Sequence, residues 1–176
     1  MSDVQSTIAD NQQAVAAFIA AARAVPQSAW TQPRAPQKWS PGQVTEHVAI
    51  VYEGAQAILD GTFAGRGVPR IMRPLIRVFA LNPTLKAGRF KPGLKAPAFF
   101  QPTSSTASVD DLSARLHAAA RAFEAAVETA ARQGRTFVDH PFFGRVDLAE
   151  YSRLQAIHTR HHQQQLAMAT ERSAAV

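Results

Sequence analysis

A chain of 176 residues without cysteine is long enough to bury one core, and it can form no disulfide, thiolate metal site or cysteine nucleophile. Of these residues 46% are hydrophobic, many of them alanine, yet no apolar run approaches the roughly 18 residues of a membrane span and the first residues lack a secretory pattern, so one cytoplasmic domain over 1–176 with no membrane partner is expected. The net charge is +6, and it is unevenly placed: between Gly61 and Val109 eight Lys or Arg stand without an Asp or Glu, a segment that reads as a solvated basic face ahead of a draw for an anionic small molecule and of a nucleic-acid or membrane surface.

The first helix is predicted over 4–25, with Val4, Ile8, Val15, Phe18, Ile19, Ala22 and Val25 on one face and Pro26 at its end. A proline-broken connection follows, holding Trp30 and leading to Trp39. Trp39 is expected to staple the next helix rather than to stack on a ligand. That helix is predicted over 41–60. Ser40 is a natural N-cap, Pro41 fits the first helical position, Gln43 completes a capping box, and Gly61 suits the position after the end. Val44, His47, Val48, Val51, Ala55 and Ile58 recur at helical spacing, so His47 is the polar member of an apolar stripe. Glu46 points off that stripe and is a weak candidate for a general base.

The segment from 61 to 108 holds six of the eleven prolines and is expected to be a long irregular basic connection. A short helix over 71–80, starting near Pro69 or kinked at Pro74, is the exception. Phe99 and Phe100 should tuck beneath it as an anchor. Such a loop could cover a site or serve a dimer contact. Ser108 caps the third long helix, whose apolar face is Leu112, Leu116, Ala119, Phe123, Ala126, Val127 and Ala130, and Gly134 ends it. His117 lies just off that face and is expected at the surface. Residues 135–146 read as a connector; no strand is strongly signalled, though 135–138 or the middle segment could hold a short one. His140 there either supports a site from behind or is a loop histidine, the latter favoured.

The last helix is predicted over 148–172, with Asp147 and Glu150 spaced as a capping box. His158 and His162 are four apart and share a face with Tyr151, Leu154, Gln165 and Met168. A buried imidazole needs partners for both nitrogens, and a divalent metal supplies one. His47 is the best third ligand for it. His161 points about 100° away from His162 and should flank the site or reach solvent. Gln165, one turn beyond His162, is placed to orient a ligand or a water. The chain has neither His-Glu-x-x-His nor Glu-x-x-His, which excludes the metalloprotease and di-iron patterns. An all-histidine set suits zinc, nickel, copper or iron, with zinc or nickel expected.

Taken together, Trp39-Ser40-Pro41-Gly42 with His47, then His140-Pro141-Phe142-Phe143-Gly144, then His158-x3-His162-x2-Gln165 resemble the DinB/YfiT-like superfamily over roughly residues 10 to 170. The resemblance implies an all-α four-helix bundle, a homodimer, and one divalent metal on His47, His158 and His162. It also implies an enzyme that transfers or adds a low-molecular-weight thiol, of the bacillithiol or mycothiol kind, to an electrophilic small molecule. The alternatives are hydrolysis by metal-bound water, or a non-catalytic stress-associated bundle with structural histidines. The long basic middle segment departs from the compact members.

Overall fold

The computed structural model describes residues 2–91, 93, 95–103 and 107–174, without the side chains of residue 2 and residues 168–174. Met168, expected on the histidine stripe, therefore lies outside the described side chains.

The protein is mainly helical. Four long helices, α1 (Ser2–Arg23), α2 (Pro41–Asp60), α5 (Val109–Arg132) and α6 (Leu148–Ala174), carry most of the core. Two short helices, α3 (Arg73–Ile76) and α4 (Asn82–Ala87), lie in the middle segment. α1 packs mainly on α6 and α2 mainly on α5, with further contact of α1 to α5 and of α2 to α6. The shared core is built from the predicted faces: Phe18, Val48, Leu116, Phe123 and Val127 are fully buried. Burial of a side chain of this size contributes roughly 1.5–3 kcal/mol.

The capping chemistry explains where α2 begins and ends. Ser40 Oγ accepts from the Gln43 amide at 3.3 Å while Gln43 Oε1 accepts from the Ser40 amide at 3.0 Å. Gly61 closes the helix at φ 74, a left-handed conformation that costs glycine little. α5 starts at Ser108, whose hydroxyl accepts from the Asp111 amide at 3.1 Å. At α6 the expected box forms only in half. Asp147 Oδ1 accepts from the Ala149 amide at 2.8 Å, but Glu150 turns away to an ion pair with Arg77 at 2.9 Å.

A buried polar set joins the long helices. Asn11 of α1 donates to Glu124 of α5 at 2.9 Å, and the Tyr52 hydroxyl of α2 donates to Asn11 Oδ1 at 2.6 Å. Thr159 of α6 lies 2.9 Å from the same hydroxyl. All four residues are buried, so each hydrogen bond also avoids the cost of an unpaired buried group, about 1–3 kcal/mol.

Two features correct the sequence reading. The connector contains a two-stranded antiparallel hairpin, β1 (Phe137–His140) and β2 (Gly144–Asp147), pairing Val138 with Val146. Both valines are buried while their neighbours face outward, an alternation only four residues long per strand. The middle segment is more helical than expected. Its helical turns run on from Arg70 through α3 and α4, past Pro74 and Pro83. Both prolines sit in the first turn of a helix, where a missing amide does no harm. Between them Arg77–Leu81 widens to a π-turn, with the Asn82 amide bonded to the Arg77 carbonyl, which absorbs the break in the pattern ahead of Pro83.

This segment is fastened to the body. The Val68 amide donates to the Pro141 carbonyl at 3.1 Å, Arg73 pairs with Asp139 at 3.2 Å, and Arg77 donates to the Arg145 carbonyl as well as to Glu150.

Candidate metal centre

α2 and α6 bring three imidazoles together. His47 Nε2 lies 3.2 Å from His158 Nε2, and His162 Nε2 lies 3.1 Å from the same atom. One ring nitrogen from each fits within a 4.8 Å span. His47 and His162 are buried at 3% and 7% exposure, and His158 is half-buried. The local reason is helical spacing: His158 and His162 stack one turn apart, and His47 occupies the core-facing stripe of the neighbouring helix.

The protons decide what the cluster can hold. His47 Nδ1 lies 2.6 Å from the Phe100 carbonyl oxygen, which can only accept, so Nδ1 carries the proton. His162 Nδ1 faces Gln165 Oε1 at 3.3 Å, with the same consequence. Both neutral rings therefore aim a bare Nε2 lone pair at His158 Nε2. A single proton there would satisfy one of them and leave the other lone pair opposed. A cation accepts all three. Ligand nitrogens of a tetrahedral ion, with bonds of about 2.0–2.1 Å, stand about 3.3 Å apart, close to the 3.2 and 3.1 Å of the two pairs that share His158. His158 Nδ1 is buried and has no hydrogen-bond partner among the described residues. Burial holds all three rings below the ordinary histidine range, His158 and His162 well below it, and the positive charge of neighbouring groups, His161 for every ring, adds to this. The set is thus neutral and ligand-competent at neutral pH.

The other candidates fall in different places. His161 flanks the cluster: its ring lies 5.0 Å from that of His162, and its Nε2 faces the Gln165 side-chain amide at 3.3 Å. Gln165 thus bridges His162 and His161. His140 is buried in the hairpin, stacked on Phe143 at 4.6 Å and edge-on to Tyr151, and its Nδ1 accepts from the Phe142 amide. Its contacts are with that packing, not with the three imidazoles. His117 is exposed, as expected. Glu46 is buried and accepts from the Thr103 hydroxyl at 2.7 Å, with Arg115 at 3.9 Å, so it braces the loop after Phe100.

The residues around the histidines were not foreseen. Trp39 packs on His47 at 4.7 Å between ring centroids and lies 6.4 Å from His162. Phe90 meets His158 edge-on at 5.6 Å. Phe100 contributes its carbonyl, and its ring joins Phe63 and Phe99 in an aromatic cluster. The middle segment thus covers the cluster, one of the two roles that its length allowed. The aromatic residues themselves were visible in the sequence; their distance along the chain from the histidines hid the contact.

The model of a family described as a protein of unknown function (DUF1569) matches residues 8–169. The chain belongs to that family. The match spans α2, the hairpin and all three histidines, so the cluster lies inside the DUF1569 domain. No curated protein and no solved structure matches the chain.

Proposed function

We propose that this protein is a metal-dependent enzyme of the DinB/YfiT-like type, its long helices forming the bundle of that superfamily and His47, His158 and His162 holding one divalent ion. The observation that carries this reading is the convergence of three Nε2 atoms, two of them on rings whose protons are already committed to Phe100 and Gln165. Zinc or nickel suits an all-imidazole set. When bound, such an ion supplies Lewis acidity and lowers the pKa of a thiol or a water at an open position.

The chain's own residues prepare the site. The Phe100 carbonyl and Gln165 Oε1 keep protons on Nδ1 of His47 and His162, which leaves Nε2 bare. Gln165 also donates to His161 Nε2, which sets the His161 proton on Nδ1. Trp39 and Phe90 border the cluster with apolar surface, which limits water and strengthens electrostatic effects there. The reaction proposed is transfer or addition of a low-molecular-weight thiol to an electrophilic small molecule. Its support is the resemblance, together with the lack of cysteine, which requires the sulfur to arrive on a cosubstrate.

Purified protein is expected to hold about one divalent metal per chain, as three-ligand mononuclear sites do. His47→Ala, His158→Ala and His162→Ala should each lose most of it, and His161→Ala should keep it. Equal metal content in wild type and in the His47→Ala/His162→Ala variant would sink the assignment. Cobalt-loaded protein should show a visible spectrum that shifts on adding a small thiol. A panel of electrophiles, with and without thiol, then separates transfer from hydrolysis, since hydrolysis needs no thiol.

A further inference from the structure

The middle segment presents an apolar stripe to the outside. Along the helical turns from Arg70 to Ala87, Ile71 is 86% exposed, Phe79 66%, Val78 54%, Leu75 51% and Met72 42%. These five recur at helical spacing, i, i+1, i+4, i+7 and i+8, so they form one face. The opposite side holds the segment down: Leu81, Thr84 and Leu85 are buried, and Arg73 and Arg77 are paired to Asp139 and Glu150. A contiguous exposed patch of large apolar side chains is unusual on a free surface.

Its flanks are basic. Arg66 and Arg70 precede the stripe, and Lys86, Arg89, Lys91 and Lys95 follow it, all exposed. Among the described residues, Arg66, Lys86, Arg89, Lys91 and Lys95 pair with no carboxylate, and no Asp or Glu occurs from 61 to 109. A helix with a large apolar face and Lys/Arg beside it is built to lie in the plane of a lipid interface, apolar side chains among the acyl chains and bases among the headgroups. We infer that this face docks on an anionic membrane surface.

Two other occupants fit less well. A second copy meeting this face symmetrically would set the same bases against each other. A homodimer of the kind the resemblance implies would therefore use another face. A nucleic acid would engage the bases but leave the five apolar side chains in water. Ile71 and Phe79 stand proud of the surface, and a fluid acyl layer conforms to such a ridge. Among the described residues no helix is long and apolar enough to cross a membrane, and a surface-lying helix needs none.

The test is flotation of the purified full-length protein with vesicles. Vesicles of equal parts phosphatidylcholine and phosphatidylserine should carry it at low salt, and phosphatidylcholine alone should not. Lys86→Ala, Arg89→Ala and Lys91→Ala should each weaken binding about fivefold, and high salt should do the same. Ile71→Ser/Phe79→Ser should abolish flotation while circular dichroism stays unchanged, because both side chains are outside the core. Failure of the wild type to float with the mixed vesicles overturns the proposal. So does unchanged flotation of the Ile71→Ser/Phe79→Ser variant. A dimer that this variant converts to monomer would make the face a self-contact. Duplex DNA that competes the wild type off the vesicles and binds the variant equally well would make the segment a nucleic-acid surface. Either result replaces the membrane.

Discussion

His140 differs from the clustered histidines in what its nitrogens meet. Its Nδ1 accepts a backbone amide, and its ring is sandwiched among Phe142, Phe143 and Tyr151. Burial pushes its pKa down to about 3, and the positive charge of Arg73 adds to the effect. The sign of the pH dependence follows. An unfolded histidine titrates near 6.5, so between that value and about 3 the unfolded chain binds a proton that the folded chain refuses. The stability from neutral His140 is complete above the unfolded value and drains away as pH falls below it, at up to about 1.4 kcal/mol per pH unit. The three clustered histidines act in the same direction when free of metal, since burial lowers them too. Urea unfolding of chelated protein at about pH 7.5 and about pH 5 separates the contributions. His140→Gln should lose less stability between the two than wild type, by close to one proton's worth. An identical loss in both would show that His140 titrates normally.

At the scale of elements, α2 and the loop that ends at Phe100 are fitted to each other. Gly54 lies seven residues beyond His47, on the same side of α2, and a Cβ there would come within 2.4 Å of the Phe100 ring. Gly54→Val should displace Phe100 and with it the carbonyl that fixes the His47 proton. Metal affinity, read by competition with a chelator, is expected to fall about 10–100-fold, as it does when a ligand loses its supporting hydrogen bond. Helix content should persist, because the ring is the yielding partner. Unchanged affinity would mean that Phe100 does not orient His47. α2 itself was readable in advance: Ser40, Gln43, Gly61 and a six-residue stripe are local signals of one period. So were His158 and His162, which meet because they are one turn apart. The hairpin was not readable, since Val138 and Val146 give a strand pattern too short to stand out. The helical turns through Pro83 were hidden because a proline reads as a break until the widened turn ahead of it is seen. Phe100 acts through its backbone, and a carbonyl has no letter in a sequence.

For the whole molecule, the core and the imidazoles are separable. Phe18, Val48, Leu116 and Phe123 pack without the histidines, and Asn11, Tyr52, Glu124 and Thr159 link the long helices without a metal. A structural metal adds directly to folding free energy, whereas a catalytic one sits in a fold that stands alone. Chelation should therefore leave the far-ultraviolet helical signal nearly intact and lower Tm by only a few degrees. Unfolding on chelation would make the metal structural and remove the enzyme reading. The polar linkage has one more effect. Tyr52 follows His47 by five residues and Thr159 follows His158 by one. The same two helices thus carry both the hydroxyl contact and the imidazole contact. Sliding α6 along α2 by one turn, about 5.4 Å, in one direction would bring His162 to the place of His158 but Gln163 to the place of Thr159. The imidazoles alone would accept that slipped alignment; the Tyr52–Thr159 contact refuses it, so the hydroxyl pair is the ward that keys the two helices in register.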